Sequence, residues 1–176
     1  SDVYKRQRQF LDTKAASALV HAFVSSKLDY CNSLLFGLPK TQLDKLQRVL
    51  NCAARVVSKV HKHEHITPVL PSLHWLPIPQ RIEYKLMLIT FKALNGMAPG
   101  YLRELLHWYE APRSLRSNAL AKLVEPKTRL KYYGDRAFVK AAPRVWNGLP
   151  LSLRQMSDLD DFKCALKTHL YRVTYG

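Results

Sequence analysis

Five cationic side chains recur on one side of a predicted helix. They are Lys45, Arg48, Arg55, Lys59 and Lys62. At 100° per residue they lie about 165° away, on the same helical wheel, from an apolar stripe of Leu43, Leu46, Leu50, Ala53, Val57 and Val60. Lys and Arg bind nucleic-acid phosphates without regard to base sequence. The spacing therefore predicts a phosphate-binding face, and an ordinary solvated helix surface is the alternative.

A second basic segment, residues 113–147, interleaves cations with aromatic side chains. Its candidate phosphate ligands are Arg113, Arg116, Lys127, Arg129, Lys131 and Arg136. Aromatic rings stack on bases while Lys and Arg hold phosphates, a combination suited to single strands or irregular RNA. The alternative is a local core of Phe138, Trp146 and Leu149, with cations that only add solubility.

We assign no catalytic residue, metal ligand or cofactor to this sequence. It lacks a P-loop, a GxGxxG turn and a GxSxG elbow. Its one acidic cluster, Asp158 with Asp160-Asp161, is expected to cap a helix. The alternating histidines of residues 61–65 match no zinc signature and are expected in an exposed loop. A nuclease that uses Glu125 and Asp135 is a further alternative.

The composition favours a folded protein with polyanionic partners. The 28 Lys and Arg residues outnumber 13 Asp and Glu residues, which gives a net charge of +15. Such a surplus favours nucleic acid first, and an anionic membrane surface second, as a partner. No apolar run approaches the roughly 18 residues of a membrane span, which argues against an integral membrane protein. The three cysteines form no CxxC pair, so we expect an intracellular, reducing compartment and small buried thiols in helices.

The hydrophobic periodicity and the Pro and Gly positions predict a mainly α fold. The predicted helices cover residues 12–36 with a bend at Ser25-Ser26, 41–60, 80–95, 99–108, 136–146 with a kink at Pro143, and 158–173. Thr41 with Asp44, and Ser157 with Asp160, resemble capping boxes. Residues 120–124 and 130–133 form at most a short β-hairpin. Proline-rich turns connect residues 66–79.

Four segments follow from these elements. Residues 1–9 are expected to be a leader or an assembly scar, residues 10–65 a helical bundle, residues 66–110 a helical connector, and residues 111–176 a basic, helical or irregular extension. The abrupt polar start also suggests that the chain is a fragment of a longer protein.

Nine short strings, in order, resemble the C-terminal part of the reverse transcriptase of non-LTR retrotransposons (LINE elements of the jockey and chicken-repeat type). They are residues 28–32 (LDYCN), 46–48 with 51–55 (LQR, NCAAR), 65–68 (HITP), 74–77 (HWLP), 98–102 (APGYL), 113–117 (RSLRS), 133–138 (YGDRAF), 146–150 (WNGLP) and 162–163 with 166–168 (FK, LKT). The resemblance covers about Ala15 to Leu170.

The resemblance implies a parent RNA-directed DNA polymerase whose Mg-dependent palm lies upstream of this region. Asp160-Asp161 lacks the Tyr-Ala that precedes the palm aspartates, so this region is expected to be inactive alone. Residues 15–60 would be the helical thumb, which grips an RNA–DNA duplex in its minor groove. The implied partners are RNA, an RNA–DNA hybrid or DNA, and the upstream palm, but no membrane. The implied compartments are nucleus and cytoplasm. The zinc knuckle of other LINE groups has no counterpart here.

The resulting hypothesis is a non-catalytic nucleic-acid-binding fragment of a retrotransposon polymerase. Two alternatives stay open from the sequence besides the nuclease. One is a helical protein-interaction module whose charge serves solubility, and the other is a decayed retroelement copy without activity.

Overall fold

Helices dominate the computed structural model, which describes residues 11–61, 63–110, 121–128 and 134–176. Within these ranges one isolated antiparallel bridge is the only β pairing, so the mainly α prediction is confirmed. The α-helices are α1 (Thr13–Val20), α2 (Ser26–Asp29), α3 (Lys40–Ser58), α4 (Val69–Ser72), α5 (Ile78–Leu94), α6 (Gly100–Glu104), α7 (Phe138–Asn147), α8 (Leu151–Arg154) and α9 (Leu159–Tyr175). None of the described helices combines the length and hydrophobicity needed to cross a membrane.

The chain divides into two compact units. Unit 1 contains the described residues up to Asn32, together with Leu38–Arg81 and Tyr175. Unit 2 contains the described residues of Ser33–Gly37 and Ile82–Thr174, together with Gly176. The division falls within α5. The four segments predicted from the sequence remain predictions.

Helix α3 supplies much of the core of unit 1, because its apolar residues follow helical spacing. Its buried residues are Leu50, Ala53, Ala54 and Val57. All of these except Ala54 belong to the predicted stripe, whose remaining members, Leu43, Leu46 and Val60, are half-buried. This face of α3 packs against α1, against the π-helical turn His21–Ser25 and against α4.

Three aromatic rings form the centre of the unit 2 core. Phe91 of α5 stacks on Phe162 of α9 with 4.2 Å between the ring centroids. The ring of Trp146 of α7 lies 6.0 Å from that of Phe162. The Trp146 indole N–H donates to the Ala121 carbonyl at 2.9 Å, so this buried polar group is satisfied. The predicted core position of Trp146 is confirmed, whereas Phe138 is only half-buried.

The first predicted helix ends seven residues earlier than expected. Asp12 caps α1 through its side chain, and the helical path then passes through the π-helical turn and α2. Tyr30 is extended and Cys31 has a φ of 49°, so the helix stops at Asp29. A 3₁₀ turn, Asn32–Leu35, replaces the last predicted turns. The predicted bend at Ser25-Ser26 coincides with the end of the π-helical turn.

Both predicted capping boxes are wrong. Pro39 occupies the N-cap position of α3, with a φ of −56°, and no side chain caps this helix. The fixed φ of proline starts the helix before Thr41 is reached. In α9 the cap is Asp158, whose carboxylate accepts from the N–H groups of Asp160 and Asp161 at 2.8 and 2.9 Å. Ser157 therefore lies outside the helix.

The ends of two other predicted elements also differ. Helix α6 ends at Glu104 instead of continuing to Trp108, because Trp108 pairs with Leu123 in the antiparallel bridge. The N–H of Val124 donates to the His107 carbonyl at 2.9 Å. The other half of the predicted hairpin, residues 130–133, lies outside the described residues. Helix α7 starts two residues later than predicted and contains Pro143.

The cysteines are exposed, contrary to the expectation of buried thiols. Cys31, Cys52 and Cys164 are all free and solvent-accessible. Cys52 and Cys164 lie on the outer faces of α3 and α9, and Cys31 lies in the turn after α2. Helical spacing places each of the two helical thiols away from the buried stripe of its helix.

Candidate nucleic-acid interface

The face of α3 opposite the core carries three exposed cations, Lys45, Arg48 and Lys59. Their spacing of three to four residues, or multiples of it, puts them on one side of the helix. Lys59 lies at the C-cap with a φ of 56°. Together with Arg55 these residues form what we call the basic face.

Arg55 is less available than its neighbours on the basic face. It is half-buried, and its Nη2 donates to the Glu64 carbonyl at 3.0 Å. The Glu64 carboxylate in turn accepts from the His61 N–H at 3.2 Å. Arg55 therefore stabilises the turn that follows α3. Its buried Nε has no partner among the described atoms.

The exposed cations of the basic face form no ion pair with a carboxylate in the described part of the chain, and Asp44 is the carboxylate nearest to them along α3. The ion pairs formed there are Arg81–Asp29 and Lys163–Asp160. Lys45, Arg48 and Lys59 form none with any described residue. An exposed cation without a carboxylate partner keeps its full charge for a phosphate.

Exposed apolar side chains lie beside these cations. Val49 and Val56 are 47% and 41% exposed, and the Cys52 thiol lies between Arg48 and Val56 on the same side of α3. A phosphate backbone would contact the cations, while its sugars could cover the two valines.

The second basic segment is only partly described. Lys127 is exposed, as a phosphate ligand requires. Arg136 is half-buried, and its Nε and Nη2 donate to the carbonyls of Phe36 and Leu34 at 3.2 and 3.4 Å. Its guanidinium thus holds the turn at residues 34–37 together. The other predicted ligands, Lys62, Arg113, Arg116, Arg129 and Lys131, lie outside the described residues.

The two carboxylates of the nuclease alternative have protein partners. Asp135 accepts from the Thr128 hydroxyl at 2.9 Å, and Glu125 accepts from the Asn147 amide at 3.2 Å. Both bonds connect neighbouring segments of unit 2, which gives these carboxylates a structural role.

The histidine run and the acidic cluster gather no metal-ligand set. His61, His63 and His65 are all exposed. Across the described ranges, no three His, Cys, Asp or Glu side chains lie close enough to hold a metal ion. In the acidic cluster, a hydrogen bond from Lys163 lowers the pKa of Asp160 and raises the pKa of Lys163 itself.

Several residues of the resemblance strings hold the fold together, a role that the sequence did not reveal. Arg81 donates to both carboxylate oxygens of Asp29, at 3.0 and 2.8 Å, and its guanidinium carbon lies 5.9 Å from the centre of the Trp75 ring. The Asn147 side chain bonds both backbone groups of Leu123, at 2.8 and 2.9 Å. Asp29 and Asn147 therefore connect segments that are distant in sequence.

Comparisons of this chain with models of protein families, with curated proteins and with solved structures find no match.

Proposed function

We propose that this chain is a non-catalytic, nucleic-acid-binding part of a retrotransposon RNA-directed DNA polymerase. In this proposal the basic face holds backbone phosphates of an RNA template, an RNA–DNA hybrid or target DNA. The observation that carries it is the set of exposed Lys45, Arg48 and Lys59, which have no carboxylate partner among the described residues. The resemblance strings support the polymerase origin.

The length of the basic face suits a polynucleotide. Lys45 and Lys59 are 14 residues apart, about 21 Å at a rise of about 1.5 Å per residue. That length matches about six base pairs of duplex at about 3.4 Å each. Three cations along this distance can each meet a different phosphate. The proposal assigns phosphate binding to α3 and assigns no bond-making step to this chain.

The salt dependence of binding tests the proposal. The triple variant K45A/R48A/K59A, in the full chain, is titrated against a fluorescent RNA–DNA hybrid at several salt concentrations. The slope of log K against log salt is expected to flatten by about 2.7, at about 0.9 per lost phosphate contact. Affinity should fall alike for hybrids of unrelated sequence, because phosphate contacts carry no base information.

A matched control separates the basic face from net charge. The variant R103A/K167A/R172A removes three exposed cations outside α3 and lowers the net charge equally. Its salt slope should stay close to that of the unchanged chain. Equal flattening by both triple variants, or an unchanged slope for K45A/R48A/K59A, would contradict the assignment.

A second candidate function is a helical protein-interaction module. It is favoured by large apolar side chains that unit 1 leaves in solvent: Phe23 is 70% exposed, Tyr30 80% and Leu19 44%. Isolated apolar residues are common on surfaces, but Leu19 and Phe23 are four residues apart on one helical path and Tyr30 follows its end, and such a group resembles a contact surface. The same titration distinguishes the two functions, since an interaction module binds no polynucleotide at low salt.

A further inference from the structure

Unit 2 contains an open cavity of about 800 Å³, and every residue that lines it belongs to this unit. Helices α5, α7 and α9 and the turn at Phe36-Gly37 form its walls. Its volume lies in the range of about 300–1,000 Å³ that is usual for small-molecule sites.

Three polar groups of this cavity have no hydrogen bond or ion pair with any described residue. They are Glu83 on α5, Arg144 on α7 and His169 on α9. Two other charged residues in the lining are already bonded, since Asp135 accepts from Thr128 and Arg136 donates to backbone carbonyls. The cavity therefore presents an unpartnered carboxylate, guanidinium and imidazole to an occupant.

Glu83 has the most to gain from an occupant. Its carboxylate is half-buried, and burial raises its pKa above the ordinary value of 4.5. A buried carboxylate without partners is costly, and N–H donors offset that cost. The lining also includes the half-buried side chains of Phe36 and Val145 and the exposed side chain of Val173, whose accessible apolar surface can cover the face of a flat ring.

We infer that this cavity binds a guanine nucleotide, either free or as one unit of a polynucleotide. The guanine N1–H and N2–H donate to the two oxygens of Glu83, its ring packs on the apolar wall, and its phosphate pairs with Arg144. Guanine is the base that presents two adjacent N–H donors on its Watson–Crick edge. Adenine and cytosine place a ring-nitrogen acceptor beside the amino group, which a carboxylate repels. The statement that the nucleotide is part of a polynucleotide rests on the proposed function, whereas the cavity itself does not.

The unchanged full-length chain provides the first test, by calorimetric titration with mononucleotides. We expect 5′-GMP to bind more tightly than 5′-IMP, which keeps N1–H but lacks the 2-amino group. Both should bind more tightly than 5′-AMP, which has no N1–H. Equal affinities for 5′-GMP and 5′-AMP, or no binding of 5′-GMP, would overturn the inference.

Two substitutions locate the nucleotide. E83Q should weaken 5′-GMP binding about tenfold, the scale of a lost bidentate contact to a base. E104Q, which neutralises an exposed glutamate of the same unit, should leave the affinity unchanged. R144A should lower the affinity for 5′-GMP to that for guanosine and leave guanosine binding as it is. Loss of affinity in E104Q as great as in E83Q would contradict this location.

The failures of the two proposals are distinguishable. The variant K45A/R48A/K59A should bind 5′-GMP as the unchanged chain does, because α3 does not line the cavity. Binding of 5′-GMP without any binding of polynucleotide would retain the cavity with a free nucleotide as its ligand and would reject the proposed function. Binding of polynucleotide without a preference for 5′-GMP over 5′-AMP would retain the proposed function and reject the guanine-nucleotide site.

Discussion

Arg81 makes more contacts within unit 1 than its position in the sequence suggests. Its side chain is 14% exposed, and it donates to the Asp29 carboxylate and to the Leu76 carbonyl. A guanidinium serves both acceptors at once because its donors form a rigid fork. Loss of this side chain would remove the donor to the Leu76 carbonyl and would leave the Asp29 carboxylate with only the 3.5 Å bond from the Asn32 amide.

R81A is therefore expected to lower the free energy of unfolding by about 2 kcal/mol, the scale of charge-assisted hydrogen bonds at a part-buried site. R81K should recover less than half of this loss, because an ammonium cannot reproduce the fork. Urea unfolding measures both, with the exposed Arg103→Ala as control. A cost below about 0.5 kcal/mol, the range of ordinary surface changes, would show that the contacts contribute little.

The Glu83 carboxylate makes the stability of the fold depend on pH in a defined direction. Its native pKa lies above 4.5, so the native state holds this proton more tightly than the unfolded state. Its contribution to stability is fully present below pH 4.5 and is lost as the pH rises through the raised native pKa.

E83Q removes this titration. At neutral pH the variant should be more stable than the unchanged chain by less than about 1 kcal/mol, because the half-exposed carboxylate keeps part of its hydration. The difference should shrink as the pH falls toward 4.5. Thermal unfolding across this range measures it, and a difference that grows in acid would contradict the assigned direction.

At this scale the sequence indicated which residue types face solvent, but not what they contact. Helical spacing correctly put Lys45 and Arg48 opposite the core. The same spacing could not show that Arg55 bonds the Glu64 carbonyl or that Arg136 bonds carbonyls 100 residues away. Those acceptors are backbone atoms, which leave no signature in residue type.

Among the helices, the middles were easier to predict than the ends. The stripe of α3 follows from apolar periodicity over five turns, which few other structures satisfy. The start of α3 depends on whether Pro39 or Thr41 occupies the N-cap position, and the sequence is compatible with either. The π-helical turn after α1 was not predicted, because one extra residue in a helical turn leaves no characteristic pattern in the amino-acid sequence.

The cap of α9 gives a test with a neighbouring control. Asp158→Ala should cost about 1 kcal/mol of stability, because two backbone N–H groups lose their acceptor. Ser157→Ala should be neutral within about 0.5 kcal/mol, because Ser157 lies outside the helix. Chemical unfolding of both variants checks the assignment, and a larger cost for Ser157→Ala would restore the capping box predicted from the sequence.

For the whole molecule, the net charge of +15 favours a polyanionic partner but does not say where on the surface it would bind. The contacts of the described residues reduce the number of cations that are available to a phosphate, since the side chains of Arg81, Arg55 and Arg136 donate to other groups of the fold. The exposed cations that remain, Lys45, Arg48 and Lys59, share one face of α3 with the exposed thiol of Cys52. Cys52 is four residues from Arg48 and seven from Lys45 and Lys59, so it lies at the centre of the basic face.

The most direct test of phosphate binding on α3 compares the rate of Cys52 alkylation with and without an RNA–DNA hybrid. We predict that the bound hybrid slows modification of Cys52 at least fivefold, about the shielding that 80% occupancy gives, and that high salt restores the rate. The exposed Cys31 and Cys164 serve as controls in the same sample, and their rates should not change. Equal rates at Cys52 with and without the hybrid, under conditions where the hybrid binds, would contradict phosphate binding on α3.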